Sequence, residues 1–183
     1  MIALRAIIPA MRKITTLTLA LLFTFAALAE EAKKPLSPPA KAEGKIGAAN
    51  LSIDYSAPSK RGREIMGALV PYGKVWRTGA NAATTLHTDS DLMIGSLHVP
   101  AGTYTLYTIP TAKEWTLIVN KQTGQWGTDY DESQDLGRVR MTLTPVKDTV
   151  ETFNIAVKPS GAKAGAITMT WENTMAAVPV MVH

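Results

Sequence analysis

The chain has no cysteine and only three histidines among its 183 residues. The first absence excludes a disulfide framework and a lipid anchor through cysteine, so stability has to come from an apolar core. The second leaves His87, His98 and His183 with no H-x-H and no H-E-x-x-H spacing. A zinc site needs three or four nitrogen or sulfur ligands, so no metal and no cofactor is expected. No G-x-S-x-G elbow occurs either. Nor is any hydrophobic run long enough to cross a bilayer, because the apolar stretch at residues 14–28 falls short of the roughly 20 residues a span requires.

That stretch fits a secretory signal peptide instead. Arg5, Arg12 and Lys13 precede or open it, and Ala27-Leu28-Ala29 ends it with a small-residue cleavage pattern. Met11 is an alternative start, since Met11-Arg12-Lys13 would begin a compact signal by itself. Cleavage after Ala29 implies a periplasmic or secreted domain with no membrane insertion afterwards. It also changes the charge. The whole chain has 19 Lys and Arg against 15 Asp and Glu; residues 1–29 take away three bases and no acid, leaving +1. The sequence pI of about 9.3 is therefore largely a property of the leader and gives no support for nucleic-acid binding.

Residues 30–45 hold Lys33-Lys34-Pro35-Leu36-Ser37-Pro38-Pro39 and read as a Pro/Lys-rich flexible tether. Residues 46–183 read as one domain, long enough for a single core. Its dominant pattern has a period of two. Leu51, Ile53 and Tyr55 alternate with Ser52, Asp54 and Ser56, and the same holds for Val139, Met141 and Leu143, for Phe153, Ile155 and Val157, and for Ile167, Met169 and Trp171. Such alternation marks half-buried antiparallel strands. Both faces are apolar around Trp115, Leu117 and Val119, which predicts a central strand. Thr84–Thr88 and residues 92–99 read as a hairpin around Asp89-Ser90-Asp91, with Gly95-Ser96 as a bulge. Pro179 demotes residues 178–182 to an edge strand. Residues 60–69 are the one stretch that reads as a short helical turn, broken by Gly62 and Gly67; Arg61 and Arg63 there fit a solvated crossover better than an anion site. The expected fold is all-β, an antiparallel β-sandwich, jelly-roll-like or Ig-like, of about nine strands.

The densest run of unusual residues is 72–85, Y-G-K-V-W-R-T-G-A-N-A-A-T-T. With the preceding G-x-x-I-x-G-x-L-V-P, the later P-A-G-T-Y-T-L-Y-T-I-P, E-W-T-L-I-V-N-K and Q-W-G, and a late W-E, the chain resembles a bacterial exported family known as domain of unknown function family 2911. The resemblance runs from about Ile46 to Val180. It implies a secreted or periplasmic, mainly β domain and brings no catalytic residues with it. His87 stands where the resemblance leads one to expect Thr or another residue, which argues against a histidine mechanism.

Read for chemistry, Trp76-Arg77-Thr78-Gly79-Ala80-Asn81 combines a guanidinium suited to carboxylate or phosphate with an indole face suited to a sugar ring or a cation. Asn81, Thr84 and Thr85 add neutral polar groups. The structural alternative is that Gly79 and Asn81 permit a tight turn, Trp76 fills the core, and Arg77 pairs with a buried acid such as Glu151 or Glu172. A second candidate is the loop Gln125-Trp126-Gly127-Thr128-Asp129-Tyr130, whose two aromatics could form a platform with Trp76 or cap the sandwich. Asp129, Asp131, Ser133 and Asp135 alternate like calcium ligands, but Gln134 and Arg140 replace the glycine and glutamate such a loop requires. The leading expectation is a non-catalytic domain binding a small polar or glycan-like ligand at the cell envelope, with Trp76, Arg77, Asn81, Thr84, Trp126 and Tyr130 as its site. Two alternatives stand beside it: a structural or assembly module, and a metal-independent hydrolase using Glu114, Glu151 or Glu172. They differ in what they require. Binding needs Arg77 reachable in a concave pocket, catalysis needs a carboxylate of raised pKa inside that pocket, and a structural role buries Arg77 against an acid.

Overall fold

The computed structural model describes residues 35–182; the expected signal peptide, residues 1–29, lies outside them. Among the described residues nine strands form: β1 (Pro39–Ile46), β2 (Ala49–Ser56), β3 (Thr84–Thr88), β4 (Leu92–Ile94), β5 (Leu97–Val99), β6 (Gly102–Pro110), β7 (Trp115–Asn120), β8 (Asp135–Pro159) and β9 (Ala164–Val182). They pair antiparallel throughout, in the order β1-β2-β3-β6-β7-β8-β9-β4-β5.

The long β8 lets one sheet supply both layers. Its start pairs with β7, from Asp135 to Met141, and its remainder pairs with β9, from Thr142 to Pro159. Breaks in register near Val150 interrupt the second ladder. The doubled sheet brings β1 against β8 and β9. Glycine is required at this approach: a Cβ on Gly44 would come within 2.6 Å of Val157 Cγ1, and one on Gly165 within 2.6 Å of Ile46 Cδ1. Between the layers the alternating residues meet in one core, with Leu51, Ile53, Leu86, Leu106, Leu117, Met141, Ile155 and Ile167 all buried. Trp115, Phe153 and Trp171 fill its aromatic end. As the two-sided apolar pattern predicts, β7 lies inside the sheet, between β6 and β8.

Several local expectations change. β1 begins at Pro39, inside the stretch that composition reads as a tether. Ala42 and Ile46 are buried, all eight residues pair with β2, and Pro39 costs no ladder bond as the first residue of an edge strand. β3 does not pair with β4. It lies between β2 and β6, while β4 pairs with β5 and β9. The acids that look like a turn serve other partners: Asp89 accepts from Asn50 N–H at 2.9 Å and Nδ2 at 2.6 Å, and Asp91 from Ala101 N–H at 2.8 Å. Gly95-Ser96 is the two-residue link of the β4–β5 hairpin, with Gly95 at φ 59°. Residues 178–182 are the end of β9, and β4 pairs with them.

Residues 60–69 form turns rather than a helical turn. Arg61, Gly62 and Gly67 have φ of 50°, 72° and 89°, which breaks any helical run. The N–H groups of Ile65 and Met66 donate to the Glu172 carboxylate, at 3.3 and 3.2 Å. The helical turn among the described residues is instead a 3-10 turn at Glu132–Gln134, capped by Asp131, whose side chain accepts from Ser133 N–H.

Candidate functional site

Residues 72–85 run between β6 and the loop after β7, and main-chain bonds hold them at both places. Trp76 takes the position beside β6 that β3 leaves beyond Leu106: its N–H donates to Thr108 O at 2.7 Å, and Thr108 N–H returns to Trp76 O at 2.9 Å. Further along, Gly127 N–H donates to Asn81 O at 3.1 Å, and Ala83 N–H to Gln125 O at 3.3 Å. The two runs singled out in the sequence, W-R-T-G-A-N and Q-W-G-T-D-Y, therefore lie side by side.

Between those anchors the backbone is strained. Thr78 and Asn81 have φ of 53° and 59°, and Gly79 has φ of 154°. For a β-branched residue this is an outlier that costs about 1–3 kcal/mol and persists only where the surroundings enforce it. Here they do. Thr78 is fully buried, its Oγ1 donates to Thr108 Oγ1 at 3.2 Å, and its carbonyl accepts from Thr84 Oγ1 at 2.8 Å. The contorted turn places the consecutive residues Trp76 and Arg77 on the wall of one cleft.

The cleft encloses about 620 Å3, a volume typical of small-molecule sites. Part of its lining is aromatic. Trp76 stacks on Trp171 with ring centroids 5.9 Å apart and planes at 19°, and meets Phe153 edge-on at 5.0 Å. Tyr107 and Tyr130, also in the lining, meet at 4.8 Å. Tyr130 donates its hydroxyl to Asp135 Oδ2 at 2.8 Å and accepts from Arg138 at 2.8 Å. Burial first, then the Asp135 carboxylate, push its pKa up to about 12, so it stays a neutral phenol.

The rest of the lining is cationic and aliphatic. Arg63, Lys74 and Arg77 contribute to it, with no Asp or Glu among the described residues that line it. Arg77 Nε is buried without a hydrogen-bond partner among the described residues. The pairing with Glu151 or Glu172 that the structural alternative calls for does not form. Glu172 is held by Lys60 Nζ at 2.6 Å, and Glu151 Oε1 accepts from Arg61 N–H at 2.7 Å. Glu114, the third candidate acid, pairs with Arg140 at 2.9 Å and lies outside the cleft lining. Two of the three aspartates of the calcium-like spacing are engaged elsewhere: Asp131 caps the 3-10 turn, and Asp135 accepts from Asn120, Tyr130 and Arg138.

Of the six residues expected at the site, Trp76, Arg77 and Tyr130 line this cleft, and Asn81, Thr84 and Trp126 do not. Asn81 is a turn residue whose Nδ2 donates to Ser37 O and Ser56 Oγ, both at 3.3 Å. Thr84 is fully buried and bonded to Thr78. Trp126 is 54 % exposed and contributes main-chain bonds. The reading of the sequence missed Arg63, Lys74 and Tyr107. Lys74 lies within the 72–85 run, so its proximity was a usable signal. Arg63 had one too, the basic pair with Arg61, but fitted a solvated crossover better than an anion site; Tyr107 comes from a strand with nothing local to mark it.

Gly127 joins the two runs physically. A Cβ there would come within 2.4 Å of Arg77 Cδ and 2.7 Å of Asn81 O. Gly127→Ala is therefore expected to cost about 1–2 kcal/mol by overpacking, read as a lower urea midpoint with unchanged slope. A variant as stable as the parent would show that the close approach is not maintained.

A family model described as "Protein of unknown function (DUF2911)" matches residues 37–180. No curated protein and no solved structure matches the chain.

Proposed function

The chain belongs to the family described as protein of unknown function (DUF2911), and on that premise we propose that it is a non-catalytic binding domain whose cleft takes a small polar or glycan-like ligand. Arg77 carries this reading. Its side chain lines a concave site, its Nε lacks a partner among the described residues, and neither candidate acid reaches it. With no acid paired to it among the described residues, the guanidinium is left to bind the oxygens of a ligand through its fork. Trp76 and Tyr130, the half-buried aromatics of the lining, supply apolar surface for a ring, with the buried Trp171 and Tyr107 packed behind them. Carboxylates suited to hydrolysis are not gathered there, since Glu114, Glu151 and Glu172 are engaged elsewhere. An exported setting, periplasmic or secreted, belongs to the same proposal and rests on the signal peptide; intact mass of the secreted protein should correspond to a chain beginning at Glu30.

The test is thermal unfolding of the purified protein and of Arg77→Ala, with and without cell-wall fragments, sugars, amino acids and phosphates. A ligand confined to the native state stabilises it by about 2.7 kcal/mol at a hundredfold excess over Kd. The expected result is a ligand-induced shift in the parent that Arg77→Ala loses while keeping its own midpoint. A structural or assembly module is the second reading, favoured by the bonds that tie Asn81 and Thr84 into the fold. Its signature is a variant that loses several kcal/mol, with no compound shifting the parent.

A further inference from the structure

We infer that the ligand of this cleft is an anion, a carboxylate or phosphate group carried on a small body with a ring or hydrocarbon face. The inference rests on the reading of the cleft as a ligand site and adds the charge of what enters it. Three cationic side chains line the cleft and no acidic one does, among the described residues. With the leader removed, the chain is nearly neutral, so this collection of one sign is local. A concave surface with one sign of charge focuses the field inside it.

The acids of the neighbouring segments do not cancel that field from within the lining. Glu172 is held by Lys60, Glu151 by the Arg61 N–H, and Asp135 by Asn120, Tyr130 and Arg138. Asp129, between the lining residues Thr128 and Tyr130, is the acid whose charge reaches the cleft, where it helps raise the pKa of Tyr107 behind burial, and it stands as one carboxylate against three cations. Arg63 is oriented by backbone alone: its Nε donates to Lys60 O at 2.9 Å and its Nη2 to Ser59 O at 2.7 Å. Neutral carbonyls fix the guanidinium without neutralising it. Arg77 adds a second planar fork, suited to the paired oxygens of a carboxylate or phosphate. Beside the cations, Leu69 and Val75 are exposed, and the half-buried Trp76, backed by the buried Trp171, is part of the lining. Those surfaces reward a body that a bare anion lacks.

Isothermal titration of the purified protein tests this with probes matched in body and differing in charge: glucose against glucuronate and glucose 6-phosphate, and benzyl alcohol against benzoate. In at least one set the anion is expected to bind about tenfold or more tighter than its neutral counterpart, and to weaken severalfold when salt rises from about 20 to 300 mM. Lys74→Gln should weaken the anion about three- to tenfold with the unfolding midpoint unchanged, because Lys74 is exposed and makes no ion pair among the described residues. Neutral and anionic probes binding equally would overturn the anion inference and leave the ligand cleft standing. No binding by any probe at tens of millimolar would overturn both.

Discussion

Trp171→Ala is expected to destabilise the protein by about 3–5 kcal/mol, the range for emptying a buried tryptophan site. Trp171 is 1 % exposed, stacked on Trp76 at 5.9 Å and tilted against Phe153 at 5.8 Å. Truncation leaves a cavity where two layers and the cleft lining meet. It also removes the bond from Trp171 Nε1–H to Glu151 O at 3.1 Å, although that carbonyl keeps the Lys60 N–H at 2.7 Å. The side-chain volume therefore dominates the loss. Trp126→Ala is the matched control. That indole is 54 % exposed, so its removal should stay within about 0.5 kcal/mol. Urea unfolding at constant slope decides between the two. If both variants lose similar stability, the assignment of Trp171 to the core and Trp126 to the surface is wrong.

Glu172→Ala should cost about 1.5–3 kcal/mol, the scale of hydrogen bonds to a charged group, and should open the cleft as well. Glu172 sits in β9 with φ of 54°. One carboxylate oxygen takes Lys60 Nζ at 2.6 Å and the other takes the N–H groups of Ile65 and Met66. This side chain thus ties residues 60, 65 and 66 to the sheet, beside the bonds from the Lys60 and Arg61 N–H groups to Glu151, and the segment continuing from them carries part of the cleft wall. Burial by itself would raise this carboxyl's pKa; the bonds from Lys60, Met66 and Ile65 outweigh it and hold the pKa below the usual glutamate value. A depressed folded-state pKa stabilises the native state above the unfolded value of about 4.3, and that contribution is lost as pH falls through the folded value. The parent should therefore lose more stability than Glu172→Gln between about pH 5 and pH 3. Parallel pH profiles for parent and Glu172→Gln would show that the carboxylate is not what anchors the segment.

The strand content was legible because period-two burial is local: Leu51, Ile53 and Tyr55 declare one face without reference to any partner. The central place of β7 was legible for the same reason, as its residues are apolar on both faces. Pairing was less so. Asp89-Ser90-Asp91 has the composition of a hairpin turn, yet β3 goes to β2 and β6. Ladder partners are chosen by layers that form far apart in sequence, and the short-range signal is blind to them. The tether reading failed at Pro39 because composition ignores that Ala42 and Ile46 have somewhere to be buried.

For the site, the sequence by itself determined that unusual chemistry concentrates at residues 72–85 and 125–130, because glycine, tryptophan, arginine and asparagine seldom crowd together without a conformational or binding reason. Tertiary structure alone decided which of those residues face a cleft. Thr78 and Asn81 at positive φ turn the chain, so neighbouring residues take opposite duties: Trp76 and Arg77 line the cleft, while Asn81 and Thr84 are bound into the fold. It also decided the charge. Fifteen acids were candidates to neutralise Arg77, and which one came near depended on distances that no spacing records. Lys60 reached Glu172 instead, and Arg77 was left beside Lys74 and Arg63, since an ion pair forms where the fold brings two side chains within a few ångströms and nowhere else.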